Sequence, residues 1–170
     1  MKVSVLCFDL SNNSFGRAVL LAQALSGFCD VEIVGPSRKG AIWFPLRQTS
    51  FSVKSFEWKR YPFFVPVVKR ILKEIDGDVI LASKLMPTSF GIGLLKKWAS
   101  GKPLIVDIDD WELGFFYHSG FWGRVGRLLN FSNPNGLPYT WFMERLTGYA
   151  DVVTVSNRFL QNKFNGTMVP

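Results

Sequence analysis

Four acids stand within six residues at Asp107-Ile-Asp109-Asp110-Trp111-Glu112, directly after the apolar run Leu104-Ile-Val106. Carboxylates this close repel one another and are costly to keep ionised unless they are paired, protonated or bound to something. Three chemistries fit. Asp107 and Asp109, two residues apart, can hold Mg²⁺ or Mn²⁺ against a diphosphate. The same groups can accept hydrogen bonds from the hydroxyls of an acceptor sugar. They can also simply cap the following turn and pair with nearby Arg or Lys. If the strand continues, Asp107 and Asp109 share one face and Asp110 takes the other. His118, the only histidine, follows in Phe115-Phe-Tyr-His118. It offers an acid/base group or a hydroxyl contact beside the acidic loop, or a structural or exposed imidazole. Asp109, Asp110 and His118 are the candidate catalytic residues.

Two other loops carry polar groups. Asp9-Leu-Ser-Asn-Asn13-Ser-Phe-Gly16-Arg17 ends at a helix N-terminus, where Gly16 allows close backbone approach to a phosphate or sugar. Arg17 adds a charged contact from the first turn. The bland reading is an ordinary capped helix start. A single glycine here argues against a dinucleotide fingerprint, which needs three at set spacing. Lys84 follows the apolar run Val79–Ala82, either facing a ligand or merely solvated. Asn13, Gly16, Arg17 and Lys84 are the candidates for contacting a donor phosphate or other substrate.

These loops meet only if their elements share one sheet, and the apolar pattern says that they do. Lys2–Phe8, Val31–Val34, Ser52–Trp58, Asp78–Ala82 and Leu104–Asp107 read as short strands. Gly35-Pro36 is expected to close the second. Between them, Ser14–Leu25, about 65–75 and Pro87 to about Ala99 read as helices, with one or two more between Phe121 and Thr147. The tail predicts a strand at Val152–Val155, a helix capped by Ser156 and ended at Asn165-Gly166, and the start of another strand. Continuous apolar strands alternating with helices make a doubly wound, Rossmann-like, mostly parallel sheet with helices on both faces. Ligands in such a sheet bind beyond the carboxyl ends of the strands.

A chain of 170 residues with 48% hydrophobic content is one core-rich domain rather than a disordered segment. Cys7 and Cys29 have no metal-site or disulfide spacing and read as buried reduced thiols. The N-terminus lacks a secretion signal, and no run is long enough to span a membrane, so a cytoplasmic location is expected. Residues 38–73 hold nine basic side chains against the single acid Glu57, a local excess above the net +7 of the whole chain. Eight aromatics are interleaved with them. That mixture suits an anionic bilayer surface or single-stranded nucleic acid; otherwise the aromatics are core and the lysines a solvated face.

Several stretches carry a resemblance across essentially the whole chain. They are Phe15-Gly16-Arg17-Ala18 with Leu21-Ala22, Val31-Glu-Ile-Val-Gly-Pro36, Asp78-Val-Ile-Leu-Ala-Ser-Lys84 and Ala150-Asp-Val-Val-Thr-Val-Ser156. In order and spacing they resemble the N-terminal, acceptor-side domain of a GT-B-fold glycosyltransferase of the large retaining family called group 1 or family 4. The chain departs in having one glycine rather than a pair in the first loop, and acids where many relatives place a histidine. The resemblance implies a hexosyltransferase-like enzyme of polysaccharide or glycolipid biosynthesis. It would move a sugar from a nucleotide-sugar donor to a glycan or lipid-linked acceptor, with no metal or other cofactor in its site. Residues 1–170 would be the N-terminal domain only, inactive alone. The donor-binding C-terminal domain is not among them and would come from further sequence or a partner chain. The resemblance also implies peripheral attachment to the inner face of the cell membrane, with Trp43, Lys59, Arg60, Lys69 and Arg70 as the acceptor or membrane surface. The alternative is a non-catalytic Rossmann-like module for a glycan, a partner protein or nucleic acid. No RRM, KH or helix-turn-helix pattern supports the last, so no nucleic-acid partner is expected.

Overall fold

The computed structural model describes residues 1–117 and 126–169. Its strands are β1 (Lys2–Cys7), β2 (Asp30–Ser37), β3 (Ser52–Glu57), β4 (Val79–Ser83), β5 (Leu104–Ile108), β6 (Val152–Val155) and β7 (Thr167–Met168). All pair in parallel, in the order β3-β2-β1-β4-β5-β6-β7. The winding reverses between β1 and β4, which opens a crevice above their carboxyl ends.

Side-chain alternation along the strands divides the interior in two. Val3, Val5 and Cys7 of β1, with Ile33 and Leu81, pack under α1 (Ser14–Leu25). Leu6, Val34, Ile80, Ala82, Leu104, Val106 and Val155 face the other way. They pack under α2 (Phe64–Glu74), α3 (Ile92–Ser100), α5 (Leu137–Arg145) and α6 (Arg158–Phe164). A short helix, α4 (Gly114–Tyr117), lies in the loop after β5. Phe15, Phe64 and Phe90 are fully buried, and each such ring contributes roughly 2–3 kcal/mol of hydrophobic stabilisation.

Four local expectations change. β2 does not stop at Gly35-Pro36 but runs on to Ser37, because Gly35 and Pro36 pair with Ser55 and Phe56 of β3. A side chain at Gly35 would collide with the Cys7 carbonyl, so the bare backbone is what lets β1 and β2 meet there. The cap of α6 is Asn157, whose side chain accepts from the Leu160 N–H at 3.0 Å. Ser156 is turned away, donating to the Asp109 carbonyl at 2.8 Å. Pro87 opens a wider π-turn, Pro87–Gly91, before α3 begins. Cys29 is only half-buried, while Cys7 is buried as expected, and both are free thiols.

Candidate functional site

The α1 face of the sheet changes chemistry at its carboxyl end. Val5, Leu81, Ile105 and Val152 stand in register across four strands, and the next row is Cys7, Ser83, Asp107 and Thr154. An apolar floor thus gives way to small and polar groups where the crevice opens. Cys7 is no nucleophile, since burial pushes its thiol up to about 12. Asp107 is almost fully buried, and Thr154 Oγ1 donates to it at 2.9 Å. Arg17 reaches down from α1 and donates to both carboxylate oxygens, Nε at 2.8 Å and Nη2 at 3.0 Å. This fork holds the Arg17 pKa above the usual arginine range.

Beyond the strand ends the other acids gather on one cation. Lys84 Nζ lies 3.0 Å from Asp109, 2.7 Å from Asp110 and 3.1 Å from Glu112. Its hydrogen bonds go to Asp110 and Glu112, which leaves the buried Asp109 Oδ1 paired by charge but without a hydrogen bond. Asp109 and Asp110 therefore converge instead of standing on opposite faces, because β5 ends at Ile108 and the chain turns. Burial works to lower the Lys84 pKa, but Glu112, Asp109 and Asp110 outweigh it and hold the ammonium above the ordinary lysine range. Glu112 moves up: burial raises its pKa more than Lys84 lowers it, and the neighbouring aspartates add to the rise.

Lys84 is no solvated lysine. Its backbone is left-handed, with φ of 73°, a conformation that costs a non-glycine residue roughly 1–2 kcal/mol. Its N–H donates to the Asp107 carbonyl at 2.8 Å, and its own carbonyl accepts from Ser89 Oγ at 2.9 Å. These bonds fix the ammonium inside the acidic loop. The carboxylates of Asp109, Asp110 and Glu112 offer oxygens within 4.8 Å of one another, a spacing that could hold a metal ion. The Lys84 ammonium occupies the middle of that set.

The first loop is built around Asp9, a residue that motif reasoning passed over. Its carboxylate accepts from the Ser11 N–H at 2.9 Å and from Asn12 Nδ2 at 3.0 Å, and it also binds the Ser11 hydroxyl. The signal for it was an acid at the end of β1 followed by Ser and Asn, an Asx-turn pattern. Asn13 is exposed at the entry of α1. Gly16 faces Trp43, whose ring would lie 3.4 Å from an added Cβ. Trp43 is thus half-buried over α1. Lys59 and Arg60 are exposed just after β3, and Lys69 and Arg70 are exposed on α2. The basic stretch is therefore not one surface, and Lys54 within it is drawn inward onto Glu32 at 3.1 Å and Asp76 at 2.7 Å. His118 lies outside the described residues.

A second missed group lies beside the acidic loop. Trp111, Leu113, Trp141, Glu144, Arg145 and Lys163 line a cavity of about 340 Å³. Trp111 Nε1 donates to Glu144 at 3.2 Å, and Lys163 pairs with Glu144 at 2.6 Å. Lys163 also stands over the Trp111 ring, 4.8 Å from its centroid. These residues come from three separate elements, so no sequence spacing connects them. Flat indole walls beside fixed polar groups suit a ligand with an apolar face and hydroxyl edges.

No protein-family model and no curated protein matches this chain. Among solved structures it superposes on UGT73P12 of Glycyrrhiza uralensis, determined in complex with glycyrrhetinic acid 3-O-monoglucuronide. The TM-score is 0.54 at 12% sequence identity, over 99% of this chain and 48% of that one. The chain spans about half the length of that plant protein. The likeness shows the fold: a Rossmann-like, all-parallel α/β sheet of the kind found in a GT-B domain.

Proposed function

We propose that this chain is the acceptor-side lobe of a GT-B glycosyltransferase. In this reading a sugar moves from a nucleotide-sugar, held by a donor lobe lying beyond residue 170 or in a partner chain, to a hydroxyl-bearing glycan or lipid-linked acceptor held here. One observation carries the reading. Hydrogen-bond acceptors are concentrated at the carboxyl ends of β1 and β5, in Asp9, Asp109, Asp110 and Glu112, while the nearby cations Arg17, Arg38 and Lys84 are each engaged by carboxylates, the exposed Arg38 by Asp9 at 3.5 Å. Such a mouth receives hydroxyls better than a diphosphate. Asp110, half exposed at the rim, orients the acceptor hydroxyl, and Trp111 gives its ring a face to lie on. The donor diphosphate is then left to the other lobe. Retention at the anomeric carbon, hexose transfer, and work at the inner face of the cell membrane belong to the same proposal.

The test is a transfer assay on the 170-residue chain with a panel of nucleotide-sugars and glycan acceptors, together with binding of each panel alone. Acceptor binding without turnover is the expected result, and addition of the donor lobe should restore transfer. Turnover by the chain alone, or binding of nucleotide-sugars in preference to acceptors, would contradict the assignment. A chain that binds oligonucleotides and no saccharide would favour a binding module.

A further inference from the structure

The helix α5 turns large aromatics to its outer side. It buries Thr140 and Met143, with the Thr140 hydroxyl bonded to the Gly136 carbonyl at 3.2 Å. Trp141 and Phe142 point outward, 46% and 52% exposed. They are not isolated. Phe131 stands 56% exposed on the preceding turn, Leu95 and Trp98 are exposed on α3, and Phe63 at the start of α2 is 71% exposed.

Two grooves run through this surface, of about 640 and 350 Å³, and they share Tyr139 and Phe142. Among the described residues no charged side chain lines either of them. Arginines stand at the edges. Arg145 lies 3.3 Å from the Trp141 ring centroid, Arg127 lies 5.7 Å from that of Phe116, and Arg60 donates to Ser132 at 3.0 Å. On α2, Lys69 and Arg70 are exposed one turn beyond Val65 and Pro66. Contiguous apolar surface of this extent is rare on a protein that meets only water.

We infer that this aromatic face docks on the surface of an anionic lipid bilayer. The inference rests on the membrane location proposed above and not on the transfer chemistry. Trp and Tyr belong at the headgroup level, and each Lys or Arg near anionic lipid contributes roughly 1 kcal/mol. A second copy of the chain fits less well, since face-to-face pairing would oppose the same arginines. Among the described residues no helix is long and apolar enough to cross a membrane, so the contact lies in the interface plane. It also moves the membrane face away from Trp43, which packs over α1, onto α5 and the ends of α2 and α3.

Vesicle co-sedimentation of the whole chain tests it, with phosphatidylcholine alone and with an equal part of phosphatidylglycerol. Binding should be about tenfold tighter to the anionic vesicles, a difference of about 1.4 kcal/mol. Trp141→Ser with Phe142→Ser should weaken it about tenfold or more, while Phe44→Ser, exposed in the basic stretch, should leave it within about twofold. Thermal melts check that the double variant folds. Quenching of wild-type tryptophan fluorescence by brominated lipid gives a reading that needs no variant. Equal binding to both vesicles, binding to neither, or equal loss in the Phe44 variant overturns the inference. So does a dimer that the double variant abolishes without any vesicle binding. Saccharide binding with no vesicle binding overturns this inference and the membrane location under it, and leaves the acceptor-lobe reading standing. Vesicle binding with no saccharide binding overturns the acceptor-lobe reading alone.

Discussion

Arg17 and Asp107, ninety residues apart in sequence, form a two-pronged ion pair that ties α1 to the carboxyl end of β5. The carboxylate is nearly inaccessible and the guanidinium about one-fifth exposed. The pair therefore fixes the height of α1 above the polar row in which the crevice begins.

Arg17→Met should destabilise the fold by about 3 kcal/mol, because it strands a buried carboxylate with Thr154 as its remaining side-chain partner. Asp107→Asn alone should cost less, since an amide can still accept from Arg17. The double variant should recover part of the loss. A double-mutant cycle by urea denaturation measures the coupling, and additivity within about 0.5 kcal/mol would show that the pair is not a unit.

Lys84→Met removes the one cation shared by three carboxylates. A loss of about 2–3 kcal/mol is expected, below the 3–5 of a fully buried pair because Asp110 is half exposed. Lys84→Gly should lose less than Lys84→Met, since glycine relieves the left-handed backbone. Chemical denaturation of both variants checks the order.

Two glutamates should give opposite pH dependences. Glu32 is held by Lys2 at 2.7 Å and Lys54 at 3.1 Å. Burial raises its pKa, but Lys2, Ser4, the Asp76 N–H and Lys54 together bring it below the ordinary glutamate value. Its contribution is then present above that ordinary value and lost as the pH falls through the lower folded one. Glu32→Gln should cost about 1–3 kcal/mol at neutral pH, with the gap to wild type closing in acid. Glu112 is raised by burial, so its charged form costs stability as the pH rises through its folded pKa. Glu112→Gln should raise the melting temperature at neutral pH and lose that advantage below the ordinary glutamate range. Melts from pH 3 to 8 test both signs.

Gly16→Ala separates fold from function. The added methyl would rest at ordinary contact distance from Trp43, and alanine in a helix is favoured by roughly 0.5–1 kcal/mol. A small gain in stability is expected. Weaker acceptor binding in the same variant would show that the backbone at Gly16 touches ligand, and unchanged binding would show that the glycine serves Trp43.

The sheet was legible because parallel strands buried on both faces are short apolar runs, as in Ile80–Ala82 and Leu104–Val106. The crevice loops followed from strand direction. What could not be read was which charges cancel. Arg17 and Lys84 look like ligand-binding cations in one dimension, and only the packing of α1 over β5 puts Arg17 on Asp107, as the register of β4 against β5 puts Lys84 beside Asp109, Asp110 and Glu112. The Trp111, Glu144 and Lys163 cavity draws on three elements and leaves no local signature. Nor could the sequence say which members of the basic stretch face water: Lys54 and Trp43 turn inward, Phe44 and Phe63 stay exposed, and further exposed aromatics lie on α5.

The central claim is that the crevice takes a hydroxylated acceptor and leaves the nucleotide to another lobe. An amide-resolved NMR titration of the chain, with neutral oligosaccharides in one series and UDP and GDP in the other, tests it most directly. The saccharides should shift amides at Asp9–Arg17, Lys84 and Asp109–Glu112, with Trp111→Ala weakening the effect about tenfold, and the nucleotides should leave these positions unchanged. Nucleotide shifts at Gly16, Arg17 and Lys84 with no response to any saccharide would contradict the account.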